Sequence, residues 1–390
     1  MRCALTPQSG SNLSRIVVAN WLKVAAVFLF FLLPVHIHAQ GIAFDAASSA
    51  DTGTGTASSL TWSHTIGSSG TNRVLIVGVS IRNNSSQTVS GVTYSGTSLS
   101  MIGQTTNSTN SRVEIWRLIA PATGAHNVVV TLSAAARFVG GAASFTGVSQ
   151  TATLAFGSYF SATGNTTTPT VNVTGVAQAQ LVVDTIANAN LGTATAAPCV
   201  GAGQTQRWSD RTTNGTAGNN TPGAGSTESG PVGGGTVTMS WRLEGCSGSN
   251  NRQWAIGAVA LKRGAVITLS KSVNPSGSQQ PGVDLTYSVA FTNAGDAAGS
   301  TLVITDAVPA NTDFKVGSVT NSLGTTGLTV AVAYSNNDGS SYVYTPVSGG
   351  GGASAGYDRS VTNIRWTFTG SLSQTSPNNS GSVNFIARIR

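Results

Sequence analysis

The sequence has little charge. Only 8% of its 390 residues are Asp, Glu, Lys or Arg, and no lysine occurs between Lys23 and Lys262. The formal net charge is +7, but three of the 20 basic residues, Arg2, Arg15 and Lys23, precede the first apolar run. The remaining 17 basic and 13 acidic residues give +4, and Lys262-Arg263 is the one adjacent basic pair. A nucleic-acid-binding surface needs clustered cations to replace phosphate counterions, so we expect no nucleic-acid partner.

Long apolar runs are missing too. The run at residues 24–35 has 12 residues, fewer than the roughly 20 that a membrane-spanning helix needs. Basic residues before it and Ile37-His38-Ala39 after it are typical of a secretory signal peptide and predict cleavage after Ala39. An uncleaved anchor is the alternative. We therefore expect a protein that is secreted or held in the cell envelope, with no membrane span after signal cleavage.

Cysteine is scarce, with three residues, of which Cys3 lies in the predicted signal peptide. The other two, Cys199 and Cys246, predict one disulfide bond in an exported protein. Two thiols without Cys-x-x-Cys spacing or nearby histidines make a poor zinc site. The Gly-, Ser-, Thr- and Asn-rich segment 201–235 between them is predicted to be a weakly packed insertion. Closing such a loop removes about 4 kcal/mol of unfolded-state entropy in the chain-entropy model.

Helical periodicity is absent after the signal segment. Short apolar or alternating runs are separated by Gly, Asn, Ser and Thr clusters, a pattern that predicts an all-β protein. About ten strands predict a jelly-roll-like β-sandwich domain over residues 40–263, after a signal peptide over residues 1–39. About seven short strands predict an immunoglobulin-like β-sandwich over residues 264–390.

Several motifs in the second region follow one another in an order found in a known family. They are Ser270-Lys271-Ser272-Val273-Asn274-Pro275, Pro281-Gly282-Val283-Asp284-Leu285-Thr286-Tyr287, Asn293-Ala294-Gly295, Thr305-Asp306-Ala307-Val308-Pro309-Ala310, and Ile364-Arg365-Trp366-Thr367-Phe368 with Gly381-Ser382-Val383. The region resembles the conserved-repeat domain of bacterial and archaeal cell-surface proteins, domain of unknown function eleven. This resemblance implies a stalk or spacer module without catalytic residues. The first region is similar to an unnamed β-domain of exported bacterial proteins, which implies nothing about a substrate.

Candidate ligand-binding residues lie in the first region. Trp208, in the segment Gln206-Arg207-Trp208-Ser209-Asp210, is predicted to lie in a loop, whereas the other four tryptophans of this region fall in predicted strands. Trp208 and Asp210 are therefore our candidates for a sugar-binding platform, with a structural role as the alternative. Calcium binds scattered carboxylates and backbone carbonyls, and Asp45, Asp51 and Asp184 are the candidate calcium ligands. No other cofactor is expected.

No catalytic set is complete in the sequence. The segment Gly352-Ala353-Ser354-Ala355-Gly356 matches the G-x-S-x-G nucleophile pattern, but it follows a glycine run and no histidine occurs after His126. A serine nucleophile needs a histidine to take its proton. His64 alternates with apolar residues and is predicted to line a sheet face.

These observations favour a non-catalytic secreted or cell-surface protein with a structural or adhesive role, in which a sandwich head is carried on an immunoglobulin-like spacer. One alternative is a carbohydrate-binding module protein, which depends on Trp208. The other is an exported polysaccharide hydrolase, which needs two carboxylates roughly 5 to 9.5 Å apart in a cleft. Surface polysaccharide or other cell-envelope proteins are the expected partners.

Overall fold

The computed structural model describes residues 41–82, 86–108, 111–188, 198–213, 220–243, 245–246 and 251–390. The predicted signal peptide lies outside these residues. Strands and turns make up the described part of the chain, which confirms the all-β prediction. Among the same residues there is no helix of the length and apolarity needed to cross a membrane.

Residues 41–149 contain the first sandwich, which we call unit one. Its strands are β1 (Ala43–Asp51), β2 (Ala57–Ile66), β3 (Val74–Arg82), β4 (Val89–Tyr94), β5 (Thr97–Ser98), β6 (Ser100–Asn107), β7 (Ser111–Ile119), β8 (Gly124–Ala136) and β9 (Phe138–Thr146). One sheet has the order β1-β9-β3-β7-β6 and the other β2-β8-β4-β5. If β5 and β6 are counted as two parts of one strand, unit one has eight strands. In this count, strands one, eight, three and six share one sheet, and strands two, seven, four and five share the other. This is the strand order of a jelly roll, as predicted.

Residues 155–263 contain a second sandwich, unit two. Its strands are β10 (Phe156–Thr166), β11 (Thr170–Val176), β12 (Leu181–Asn188), β13 (Cys199–Val200), β14 (Thr205–Arg211), β15 (Pro222–Ser229), β16 (Gly235–Arg242) and β17 (Arg252–Leu261). The sheets β10-β17-β12-β15-β14 and β11-β16-β13 repeat the order of unit one strand for strand. The sequence predicted one jelly-roll-like domain over residues 40–263, and the described part of this range contains two.

The five-stranded sheets of the two units pack face to face. Each contact between the units has a counterpart in which the equivalent strands of the two units are exchanged. The contact of β9 with β14 matches that of β17 with β6, and the contact of β7 with β17 matches that of β15 with β9. The contact of β1 with β14 matches that of β10 with β6. The equivalent strands β3 and β12 contact each other. The two units are therefore related by an approximate two-fold axis that passes near β3 and β12, as in a symmetric dimer interface.

This packing explains why β3 reads as a continuous apolar run. Leu75, Val77 and Val79 pack in the core between the sheets of unit one, whereas Val74 and Ile76 pack against unit two. A strand that is buried on both faces does not alternate between apolar and polar residues. The four layers therefore enclose three apolar zones, one inside each unit and one between them.

Residues 264–390 form the third sandwich. Its strands are β18 (Ile267–Asn274), β19 (Asp284–Asn293), β20 (Gly299–Ser300), β21 (Val303–Ala307), β22 (Thr312–Lys315), β23 (Thr320–Ser322), β24 (Thr329–Ser335), β25 (Tyr357–Asp358), β26 (Asn363–Thr369), β27 (Ser371–Leu372) and β28 (Ser380–Ile389). The main sheet β18-β19-β28-β22-β25 faces the sheet β21-β26-β24 across a core that includes Phe291, Trp366 and Phe385. The predicted immunoglobulin-like sandwich is confirmed.

The third sandwich is joined to the first two through short contacts. Arg263 donates from its Nε and Nη2 atoms to the two carboxylate oxygens of Asp296, at 3.2 and 3.1 Å. Arg263 also pairs with Val148 at the end of unit one as an isolated β-bridge. A Cβ atom at Gly295 would collide with the backbone of Gly264. This junction therefore has no free linker between residues 262 and 266.

Candidate functional site

Trp208 lies on β14 and is only 7% exposed, so the predicted loop position is wrong. Its indole packs between the units, where a Cβ atom at Gly78 or Gly141 would collide with the ring. No indole face remains open for stacking on a sugar. The described residues of the segment 201–235 are likewise not a weakly packed insertion, because β14 and β15 form part of the sheet that packs against unit one.

Tyr159 fills the matching space on the other side of the two-fold axis. Strand β6 has Gly103 at the position where β14 has Trp208, and a Cβ atom at Gly103 would collide with the Tyr159 ring. The Tyr159 hydroxyl hydrogen-bonds Thr105 of unit one at 3.0 Å, and burial raises its pKa to about 12. Each half of the interface thus holds one large aromatic residue over glycine, supplied by a different strand.

Asp210, the second ligand candidate, lies close enough to Asp51 of unit one to raise the pKa of that carboxyl group. Burial raises the pKa of Asp51, the Gly53 N–H that donates to its Oδ1 at 2.5 Å lowers it, and Asp210 raises it further. This pair joins the two units.

Asp45 takes part in a buried hydrogen-bond chain. His64, 1% exposed, has its Nδ1 2.9 Å from Ser48 Oγ and its Nε2 3.2 Å from Ser144 Oγ. Trp62 Nε1 donates to Ser48 Oγ at 3.0 Å, and Ser144 Oγ donates to Asp45 Oδ2 at 2.7 Å. Burial lowers the pKa of His64 to about 4 against a smaller opposing effect of Asp45. A neutral ring protonated at Nε2 satisfies every member of this chain.

Asp184 is 4% exposed in the core of unit two. Its Oδ1 accepts from the backbone N and the Oγ of Ser226 at 2.7 and 2.8 Å, and its Oδ2 accepts from Trp241 Nε1 at 2.6 Å. Burial raises its pKa to about 7, although the three donors act in the opposite direction. Asp184 therefore serves as a buried hydrogen-bond acceptor in the core of unit two.

The three calcium candidates are not brought together. Asp45 accepts from Ser144, Asp51 accepts from the Gly53 N–H, and Asp184 accepts from Ser226 and Trp241. Across the described residues, no three His, Cys, Asp or Glu side chains are grouped closely enough to hold a metal ion. The structure therefore does not bring the three candidates into one site, because the extended strand β1 separates Asp45 from Asp51 and Asp184 belongs to the other unit.

The predicted disulfide bond between Cys199 and Cys246 is confirmed. Cys199 begins β13, which pairs with the end of β16 through Arg242. The bond therefore fixes the edge of the three-stranded sheet of unit two to the segment that follows β16.

A cavity of about 230 Å³ opens between the two sheets of unit two. It is lined by side chains from the start of β10, the end of β11 and the end of β17, with Gln180 and Lys262 beyond the strands. Neither Trp208 nor Asp210 lines it. Sequence reasoning missed this cavity because it lies beside bulges in β10 and β11, which the alternation of apolar and polar residues does not reveal.

No protein-family model matches the chain, and no curated protein matches it. Among solved structures, the chain is similar to one described as "The Triple Jelly Roll Fold and Turret Assembly in an Archaeal Virus", with 12% identity, 89% of each chain covered and a TM-score of 0.17. It is also similar to "Life in the extremes: atomic structure of Sulfolobus Turreted Icosahedral Virus", with 10% identity, coverage of 89% and 91%, and a TM-score of 0.17. These scores are too low to carry an argument, so the jelly-roll assignment rests on the strand order.

Proposed function

We propose that the chain is a secreted or cell-surface protein with a structural or adhesive role, which acts by binding and not by turnover. Its tandem jelly-roll head is carried on the immunoglobulin-like sandwich as a spacer. The spacer role follows the resemblance to cell-surface repeat domains. Surface polysaccharide or other cell-envelope proteins are the proposed partners.

The observation that carries this proposal is the direct joining of the three sandwiches. A broad apolar face holds unit one to unit two, and the Arg263–Asp296 pair holds the third sandwich next to both. Joined in this way, the sandwiches hold their end loops in fixed positions, which suits presentation of a contact surface at a distance. The Cys199–Cys246 bond supports an oxidising compartment outside the cytosol.

Several of the carboxylates that a hydrolase could use make structural contacts. Asp51 accepts from the Gly53 N–H at the contact between the units, and Asp184 accepts three hydrogen bonds within the core. Glu114 forms a salt bridge with Arg112 at 2.7 Å and is 1% exposed. These placements support binding over hydrolysis as the proposed activity.

Two measurements test the proposal. Alkaline phosphatase fused after residue 60 is expected to be active, since that enzyme needs disulfide bonds that form outside the cytosol. The purified chain of residues 40–390 is expected to co-sediment with cell envelopes or insoluble polysaccharide without releasing reducing ends. An inactive fusion would refute export, and release of reducing ends would favour the hydrolase.

A further inference from the structure

The cavity of unit two lies where unit one is filled by its own side chains. Strand β1 pairs Ser48 with Ala142, and β10 pairs Phe160 with Ala258, so Phe160 corresponds to Ser48. On the last strand of each unit, Ala260 corresponds to Ser144. In unit one these positions belong to the hydrogen-bond chain around His64. In unit two they line open space.

Two bulges accompany this opening. The register of β10 against β17 shifts between Phe156 and Tyr159, and that of β11 against β16 shifts between Val173 and Val176. The two strands belong to opposite sheets of the sandwich. Bulges bend a strand and are frequent beside binding and active sites. Residues at both bulges line the cavity, with Gly157 and Ser158 from β10 and Thr174 and Gly175 from β11.

The lining combines groups that suit a sugar ring. Phe160 packs against the core and lines the cavity. The exposed Ser158 and Thr174 contribute hydroxyl groups, and Lys262 contributes an ammonium group. The amide of Gln180 is held in place because its Oε1 accepts from the Ala177 N–H at 3.1 Å.

We propose that this cavity binds one acidic sugar residue, a uronate, of an extracellular polysaccharide. The Phe160 ring takes the C–H face of the sugar, because polarised C–H groups are attracted to the negative face of an aromatic ring. Ser158, Thr174 and Gln180 bond the ring hydroxyls, and the Lys262 ammonium pairs with the uronate carboxylate. This inference deepens the proposed function and rests on its polysaccharide partner.

Calorimetric titration of residues 40–390 with glucuronate and with glucose tests the proposal. Glucuronate is expected to bind with a millimolar Kd and glucose at least tenfold more weakly. Thr174→Trp fills the cavity and is expected to abolish the heat of binding of both sugars. Thr170→Trp is the matched control, because Thr170 is an exposed residue of the same strand outside the cavity, and it is expected to leave binding unchanged. Absence of heat with both sugars, or binding that survives Thr174→Trp, would overturn the proposal.

The charge of Lys262 is tested separately. Lys262→Met is expected to reduce glucuronate binding to the level of glucose and leave glucose binding unchanged. Lys271→Met, in the third sandwich, makes the same charge change outside the cavity and is expected to have no effect. Equal glucuronate binding by Lys262→Met and the unchanged protein would overturn the uronate assignment.

Co-sedimentation of the Thr174→Trp chain with cell envelopes separates this inference from the proposed function. Loss of sedimentation together with loss of glucuronate binding supports both. If the variant sediments normally and wild type binds no sugar, the adhesive role stands and the cavity is not its sugar site. If the unchanged protein fails to sediment while glucuronate binding depends on Thr174, the cavity assignment stands without the adhesive role.

Discussion

Arg263 and Asp296 form a two-point salt bridge between the end of unit two and the third sandwich, with their side chains 13% and 11% exposed. Because both groups are largely removed from water, loss of one leaves the other without its partner. This pair lies at the only Lys-Arg dipeptide of the chain, Lys262-Arg263, which trypsin recognises. The junction can therefore be examined by proteolysis.

Asp296→Ala is expected to destabilise the junction by about 1–3 kcal/mol and to speed tryptic cleavage after Lys262 or Arg263. Gel analysis of timed digests measures the rate. Asp338→Asn, at an exposed turn position with φ of 57°, is the control because Asn tolerates this conformation. Equal cleavage rates in Asp296→Ala and the unchanged protein would show that the pair does not hold the junction.

Gly141→Ala is expected to destabilise the head by about 1–3 kcal/mol, because the added methyl group collides with the rigid Trp208 ring. Gly91→Ala is the matched control, since Gly91 also lies in a strand and a Cβ atom there would meet nothing within 4 Å. Urea unfolding of both variants measures the difference. Similar midpoints would contradict the packing of Trp208 between the units.

His64 makes stability depend on pH below neutrality. The pKa of about 4 in the folded chain lies below the ordinary value of 6.5, so the unfolded chain takes up the proton first as the pH falls. Stability is therefore lost between pH 6.5 and about 4, by up to about 3 kcal/mol. Urea unfolding of His64→Gln is expected to show less of this loss, and the partly exposed His126→Gln to keep all of it. Identical pH profiles for the two variants would refute the assignment.

Asp184 makes stability depend on pH in the opposite sense to His64. Its pKa of about 7 lies above the ordinary 3.8, so its contribution to stability is full below pH 3.8 and falls as the pH rises through about 7. Trp241→Phe removes a donor to the carboxylate, and its cost is expected to be about 1–3 kcal/mol larger at pH 8 than at pH 5. Trp254→Phe is the matched control, because Trp254 donates to the neutral Thr166 hydroxyl. A pH-independent cost of Trp241→Phe would contradict this account.

The disulfide bond closes a loop with a sequence separation of 47 residues. Replacing Cys199 and Cys246 by Ser together is expected to lower the free energy of unfolding by about 4 kcal/mol in the chain-entropy model. Reductant should destabilise the unchanged protein similarly and leave the double variant unaffected. A response of the double variant to reductant would show that another group is responsible.

The sequence predicted the fold class well because alternation and turn residues are local signals. The strand β28 has Val383, Phe385 and Ala387 buried in alternate positions, and such a pattern is visible without coordinates. The sequence did not reveal that unit two repeats unit one, because equivalent strands occupy the same position in the fold but carry different side chains. Strand β7 carries Ile115 and Trp116, whereas its counterpart β15 reads Pro222-Gly223-Ala224-Gly225-Ser226.

The prediction that Trp208 lies in a loop was wrong for a related reason. Strand β15 is buried although it lacks large apolar residues, because Trp208 from the neighbouring strand fills the space above Gly225, and Ser80 and Val139 of unit one fill the space above Gly223. That compensation is visible only in three dimensions, so the segment resembled a loop and Trp208 resembled an exposed residue. The segments Gly140-Gly141-Ala142-Ala143 and Ile256-Gly257-Ala258-Val259 lie at equivalent positions, and their shared central Gly-Ala pair is the signal that could have revealed the repeat.

The approximate two-fold axis places both halves of a dimer on one polypeptide. Separate copies of such a sandwich would have to find each other, and they would come apart as their concentration fell. Tethering converts that encounter into an intramolecular one with an effective concentration set by the connecting segment. The pairing of the two units is therefore independent of how far the protein is diluted.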